Sequence, residues 1–552
     1  MIRRMLSLAL VGILALATFA ACQSNAPTLP PTTTPAEAIT AASPAAVTAE
    51  ASPTAAPASS PAPTNTVAAT ATPTENSQAQ ATVSAPVDAA SAAVQITLTG
   101  DAIAADGPGV AVQGASATIT AAGAYRLSGA LSDGQIVVDV PGQGQVQLIL
   151  DGLELTNASG APLVIANAGA VEILLADGAV NALTDGASYL FANPEEDEPD
   201  AALFSNADLT IAGNGALTVT GNYDDGIASE RGRLVIAGGV ITVTAKGDAL
   251  TAETDLLISD GQLTLTAGGG SGSFLGDDAS AKGIKADVSI AISGGVITVD
   301  AADDALNSDD SLTIDGGQLT LASGDDAIHA ENTLIINDGV IRITQSVEGI
   351  ESVLITINGG DIDLVSSDDG INAAGNDSGG NQLFIHGGNI AVNAAGDGID
   401  VNGSIEMTDG VVIINGPTEN MNGALDYDAT FDISGGFLAA AGSIGMAQAP
   451  SRSSGQPSLM LNFPAMLPAG TMIHIQTSSG DSLLTFAPLK AFQSLVFSSP
   501  ALAMGDAIEV YYGGSASEAL GHGLYQGSYT PGEQVASFTI SEVVTVVGNR
   551  RR

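Results

Sequence analysis

Carboxylates recur along this 552-residue chain at a spacing suited to holding metal ions. Asp304, Asp326 and Glu348 stand 22 residues apart, each followed by a small residue and then Leu or Ile. The same signature marks Asp225, Asp248, Asp369 and Asp397, and Lys282 fills the equivalent place in "AKGIKAD". A second acid precedes several of them: Asp224, Asp303, Asp325 and Asp368. Numerous hard oxygen donors are what Ca²⁺ takes, from carboxylates, carbonyls and water. The predicted metal ligands are therefore Asp224, Asp225, Asp303, Asp304, Asp325, Asp326, Glu348, Asp368, Asp369 and Asp397. Three residues after each position of the series come Lys285, Asn307, His329, Glu351, Asn372 and Asp400, which would line a groove beside the ions. Lys282 and Lys285 stand out as cations among so many acids: either they neutralise their neighbours, or one serves as a proton-abstracting base. "PEEDEPD", residues 194–200, is a second acidic cluster in a loop. Taken singly, each Asp-Gly pair also has a plainer reading, since Asp caps turns. A lone His329 is equally at home as a satisfied surface residue.

These acids act together only if the chain superposes them. Glycines before apolar alternations, Gly239, Gly261, Gly295, Gly317, Gly339, Gly360, Gly388, Gly410 and Gly436, are separated by 22, 34, 22, 22, 21, 28, 22 and 26 residues. The long steps contain the insertions "GGGSGSFLGDDASA" and "AAGNDSGGN". Around the glycines, Ile290, Ile292, Ile297 and Val299 alternate with polar residues, then Leu312, Ile314, Leu319 and Leu321, then Leu334, Ile336, Ile341 and Ile343. Period-two alternation with glycine punctuation predicts strand-turn-strand units, and one unit cannot bury its own apolar face without stacking on the next. The asparagine ladder of leucine-rich repeats is absent, and nonapeptide calcium rolls repeat at a shorter period. The predicted fold is all-β: a parallel, right-handed β-helix of ~22-residue coils rising ~4.8 Å each. Stacked carboxylates at that spacing repel by ~0.9 kcal/mol in water and more near protein, which favours a bound cation.

The remainder of the chain divides by composition. Arg3 and Arg4 precede an apolar run ending in "FAAC", which resembles a bacterial lipobox: residues 1–22 read as a lipoprotein signal peptide with Cys22 lipidated. Cys22 is the only cysteine, so no disulfide closes within the chain. Residues 23–93, rich in Pro, Thr and Ala, read as a disordered stalk lifting the fold from a membrane. Residues 94–449 form the predicted β-helix, and 450–552 an antiparallel β cap ending in a short basic tail, "NRRR". A net charge of -46 excludes nucleic acid as a partner, confines membrane contact to the lipid anchor, and lets an anionic ligand bind only through cations. With no Trp and 4% aromatics, broad platforms for stacking sugars are not expected.

"LFSNADLTIAGNGALTVTGNYDDGIAS", "AKGIKAD", "GDDAIHAENTLIINDG", "VEGIES", "DDGINAAG" and "GSIGMAQAP" together resemble a bacterial family of secreted, calcium-binding parallel β-helix proteins described as carbohydrate-binding-domain-containing. The likeness extends from Gln95 to Gly514. It implies a pectate-lyase-like architecture without catalysis, and binding of cellulose-like or acidic, polygalacturonate-like polysaccharide. Val347 departs from the family by replacing an aromatic residue ahead of the Glu. The function expected is a cell-surface lipoprotein that binds polysaccharide with Ca²⁺. Two alternatives accompany it: a calcium-stabilised structural or adhesive rod, and a calcium-dependent polysaccharide lyase with a lysine base. The lyase lacks a well-placed arginine, since Arg342 lies past the Gly339 turn on another face.

Overall fold

A computed structural model describes residues 93–548 except 192, 194–196, 277–278 and 376–379. The expected signal peptide with Cys22, the expected stalk up to residue 92, residues 194–196 of the acidic loop and the basic tail lie outside the described residues.

One coil shows how the chain winds. Strand Val296–Ala301 leads into a corner at 302–305 and the short strand Leu306–Ser308. A brief corner follows, then strand Ser311–Ile314 and the glycine corner at Gly316 and Gly317. Gln318–Ser323 then lies parallel to Val296–Ala301, with Gln318 beside Val296, so the coil closes after 22 residues. Repetition gives a parallel β-solenoid of about 13 turns with three faces. No described segment is helical. All twelve inward residues anticipated between Ile290 and Ile343 are buried, none more than 2% exposed. Each contributes ~1.5–3 kcal/mol of burial, so the stacked apolar rows are the main source of cohesion. The alternation accounts for two strands per coil. The third strand, three residues long in Leu306–Ser308, is too short to show a period and was not anticipated.

The glycine corners explain the repeat's punctuation. All nine marker glycines have positive φ, between 82° and 118°, a region that disfavours side chains. They also stack closely: a Cβ on Gly317 would come 3.1 Å from the carbonyl oxygen of Gly294 in the coil below.

Each end of the solenoid is closed by antiparallel pairing. Val94–Gly100 pairs antiparallel with Ile103–Ala105 and parallel with Gly123–Leu131. At the other end Phe437–Gly442 pairs antiparallel with Phe492–Ser498, which also pairs with Ser458–Leu467. A six-stranded antiparallel sheet between 473 and 539 completes this region. Its core joins Ile473, Phe486, Leu495 and Phe497 to Ile413, Ala439 and Ala441, which point outward from the last coils.

Candidate metal- and glycan-binding corner

The strand register aligns Ile227, Leu250, Ile284, Leu306, Ile328, Ile350, Ile371 and Ile399 in one buried row. Two residues before each comes the acidic series, which therefore runs up one corner of the solenoid, with Lys282 as the third step. The register also brings Lys285, Asn307, His329, Glu351, Asn372 and Asp400 into a second row on the adjoining short strands.

Much of the ladder has a structural job that its spacing did not reveal. Asp225 Oδ1 accepts the backbone N–H of Asp248 at 2.7 Å, and Asp248 Oδ1 accepts that of Lys282 at 2.7 Å and the Ser280 hydroxyl at 2.9 Å. Asp304 Oδ1 takes the N–H of Asp326 at 3.0 Å, Asp369 Oδ1 that of Asp397 at 2.6 Å, and Asp397 that of Gly423. Each of these carboxylates caps the next coil rather than its own turn. A corner N–H that no strand can satisfy thereby finds a charged acceptor, which offsets part of the repulsion along the column. At two steps an acid pair lies close beneath a glycine of the next coil. A Cβ on Gly247 would sit 2.4 Å from Asp224 Oδ1 and 2.5 Å from Asp225 Oδ1, and one on Gly396 would sit 2.3 Å from both Asp368 Oδ1 and Asp369 Oδ1.

Three groups of side chains bring ligand atoms within 4.8 Å of one another. The first is Asp303, Asp304 and Asp325. Lys282 Nζ lies 2.5 Å from Asp304 Oδ2 and 3.2 Å from Asp303 Oδ2, so this group already holds a cation. Burial would raise the Asp304 pKa, but His329 and Lys282 facing it hold it below the usual aspartate value. Burial would likewise lower the Lys282 pKa, yet Asp304 and Asp303 outweigh it and keep the ammonium above the ordinary lysine range. That is the opposite of what a general base requires. Lys285 Nζ stands 3.9 Å from Asp248 Oδ2. Arg342 pairs with Asp361 at 2.5 Å and sits on Val340–Gln345, the strand that runs into this corner rather than a separate face, but it lies six residues before Glu348 and is bound to its own partner.

The second group is Asp326, His329 and Glu351. Burial, a hydrogen bond with Glu351 and the charge of Asp304 push Asp326 far above the usual carboxylate range. His329 is raised by Asp304, whose Oδ2 faces its Nδ1 at 3.8 Å, against the lowering effect of burial. Asn307 Nδ2 donates to Asp304 Oδ2 at 2.9 Å and lies 3.2 Å from His329 Nδ1.

The third group, Asp369, Asp397 and Asp400, has oxygen donors only. Among the described residues no Lys or Arg pairs with any of them. Burial first, then Asp369 and Asp426, push the Asp397 carboxyl up to about 7 and that of Asp400 up to about 6. Asn372, between Glu351 and Asp400 in the outer row, donates its amide to Glu348 Oε2 at 2.7 Å, which leaves its Oδ1 buried without a partner. Three carboxylates with no Lys or Arg paired to them among the described residues are oxygen donors of the kind Ca²⁺ takes.

Among the described residues, the predicted ligands Asp224, Asp225, Glu348 and Asp368 fall in none of the three groups. Asp400, read from sequence as a groove residue, is a member of the third. Of the acidic loop, Asp200 is pushed up to about 6, chiefly by burial, and its Oδ1 is buried without a partner. Sequence reading also missed an aromatic cluster beside the first acidic coils. Tyr189 and Tyr223 stack at 4.2 Å between ring centroids, with Phe191 6.0 Å from Tyr189 and 6.3 Å from Tyr223. Tyr189 and Phe191 lie in an irregular stretch outside the strands, whereas Tyr223 directly precedes Asp224 in the repeating corner, so periodicity locates only one member of the cluster.

Fold and corner define an acidic parallel β-solenoid, and comparison with known proteins places it further. The model of the family "Carbohydrate-binding domain-containing protein" matches residues 113–232 and 228–327. The match covers residues 113–327, part of the stretch from Gln95 to Gly514 over which the motif resemblance was read. A carbohydrate-binding domain-containing protein of Acetivibrio thermocellus is 42% identical over 152 residues, 27% of this chain and 53% of that protein. The match therefore spans about half of the relative's length. The solved structure of a polysaccharide lyase-like protein from C. thermocellum, a gadolinium derivative, is 35% identical and covers 44% of this chain and 96% of its own, with a TM-score of 0.41.

Proposed function

We propose that the chain is a surface-displayed lipoprotein that binds polysaccharide in a Ca²⁺-dependent way, with acidic glycans bridged to its carboxylate corner. The observation that carries this is the Asp369–Asp397–Asp400 group, three carboxylates with ligand atoms within 4.8 Å and, among the described residues, no Lys or Arg paired with them. Those residues would hold Ca²⁺. The bound ion supplies the positive charge that a uronate carboxylate needs beside so acidic a wall. The lipid at Cys22 would keep captured glycan at the cell. Binding without cleavage is favoured because Lys282 is locked as an ammonium between Asp303 and Asp304. The inter-coil capping by Asp225, Asp248, Asp304, Asp369 and Asp397 favours a second reading, in which the ladder serves only to stiffen a rod.

Titrating Ca²⁺ into chelator-treated protein separates them. With the Asp397 carboxyl at about 7 and that of Asp400 at about 6, against ~3.9 in an unfolded chain, the metal-free folded protein holds protons that the unfolded chain has released. Metal-free stability therefore falls as pH rises from about 4 through 7, and Ca²⁺ should displace protons as it binds. Expected at pH 6.5 is saturable heat that varies with the buffer's ionisation enthalpy, equivalent to ~1 proton released per ion. Asp397→Asn should abolish the release, and polygalacturonate should bind only with Ca²⁺ present. Metal binding with no glycan affinity would leave the rod, and absence of saturable metal binding would remove the bridging model.

A further inference from the structure

The corner is not uniform, and the cleft at its first acidic coils differs from the metal groups higher up. An open cavity of about 680 Å³ lies between Asp224, Asp225, Lys246 and Asp248 on the corner and Leu275 and Ser280 of the long insertion. Asp225 and Asp248 each commit an oxygen to capping the next coil, whereas Asp224 is exposed. Lys246 Nζ donates to the Tyr223 carbonyl at 3.3 Å, which ties the aromatic cluster to the cleft wall. The cluster is held from beneath. Asp185, only 3% exposed, accepts the Tyr189 hydroxyl at 2.9 Å and the backbone N–H groups of Asn222 at 2.5 Å and Tyr223 at 3.2 Å. Both rings remain part-exposed, so they are fixed in place yet open to a ligand. Two large apolar side chains adjoin these elements in sequence and are left exposed: Leu190, next to Tyr189, is 81% exposed and Phe274, next to Leu275, is 93% exposed.

Pre-positioned tyrosines beside carboxylate and ammonium groups match the two chemistries of a pyranose ring, an apolar C–H face and a rim of hydroxyls. Pinned aromatic rings lose little entropy when a ligand stacks on them. Resting on the glycan-binding reading above, we propose that this cleft is a subsite for a neutral glycan segment: a sugar ring stacks on the Tyr189–Tyr223 platform and its hydroxyls bond to Asp224 and Lys246. A neutral sugar is the occupant because three aspartates line the cleft, while Lys246 is already shared with a backbone carbonyl. A uronate would meet net repulsion, and a neutral ring meets hydroxyl acceptors. Binding here needs no metal, unlike capture at Asp369–Asp397–Asp400.

The test uses the full chain titrated with a β-1,4-glucan hexasaccharide and, separately, an α-1,4-galacturonan hexasaccharide, each with Ca²⁺ and with chelator. Tyrosine emission reports stacking directly, since the chain contains no Trp. Expected is glucan binding that chelator leaves unchanged, weakened ~10-fold by Tyr223→Ala, as for loss of an aromatic anchor of ~1.4 kcal/mol, and retained in Tyr223→Phe. Phe274→Ala, at a site too exposed to disturb folding, should weaken glucan binding ~2–5-fold for a peripheral apolar contact. If glucan binds but all three variants bind it as the wild type does, the cleft is overturned and the metal corner stands. If only galacturonan binds, and only with Ca²⁺, the cleft is again overturned while the proposed function stands. If neither glycan binds, both fall.

Discussion

Lys282 occupies the one step of the ladder where a carboxylate is missing, and its Nζ stands 2.5 Å from Asp304 Oδ2 and 3.2 Å from Asp303 Oδ2. Asp304 is only 3% exposed, so the ammonium compensates charge that water cannot reach. Replacing it by the neutral Lys282→Gln removes the ammonium from Asp304 while its hydrogen bonds from Asn307 and Asp326 remain, which should cost about 2–3 kcal/mol in chelator, below the full cost of breaking a buried pair. Asp303, Asp304 and Asp325 already bring ligand atoms together, so Ca²⁺ should recover much of that loss in the variant. Denaturation midpoints of both proteins with and without Ca²⁺ decide the matter. An equal metal response in wild type and variant would mean that Lys282 does not stand in for a cation.

The glycine corner is the device that makes one coil stack on the next. At Gly317 a positive φ of 98° coincides with a carbonyl that would lie 3.1 Å from any Cβ, so Gly317→Ala combines backbone strain with a close contact. A cost of about 1–3 kcal/mol follows from the strained conformation. Gly272→Ala, in the insertion, has neither positive φ nor any atom within 4 Å, and serves as the neutral control. Equal thermal midpoints for the two variants would show that the corner relaxes freely. At the acid corner the close neighbours of Gly247 and Gly396 are carboxylate oxygens of the coil below, and the equivalent place above Asp325 is filled by Val347.

A stack of parallel coils always ends in a strand with unpaired backbone groups. Here Phe437–Gly442 is covered by Phe492–Ser498, and the outward Ile413, Ala439 and Ala441 pack under the terminal sheet. Removing residues 450–548 would expose both the edge and that apolar patch. The truncated chain should self-associate in light scattering coupled to size exclusion, while the full chain keeps its mass; an unaltered mass after truncation would deny the region a capping role. An acidic surface carrying the net charge of -46 works in the same direction, opposing side-by-side association of full-length molecules.

Periodicity was enough to determine the coil length, the glycine corners, the inward rows from Ile290 to Ile343 and the alignment of the acids, because stacking turns equal sequence spacing into spatial superposition. It could not reveal the third strand of each coil, which is three residues long in Leu306–Ser308 and has no period to read. Tertiary structure alone decided how the aligned acids are employed. Asp225, Asp248, Asp304, Asp369 and Asp397 cap neighbouring coils, Asp303 and Asp304 hold Lys282, and Asp369, Asp397 and Asp400 remain free of any protein cation among the described residues. Identical letters in identical register differ in role because each carboxylate's partner comes from the coil above or below, where insertions and single substitutions break the repeat. The Tyr189–Phe191–Tyr223 cluster was hidden for a related reason: Tyr223 sits in the repeating corner, but Tyr189 and Phe191 come from an irregular stretch 34 and 32 residues earlier, and only the winding of the chain brings them together.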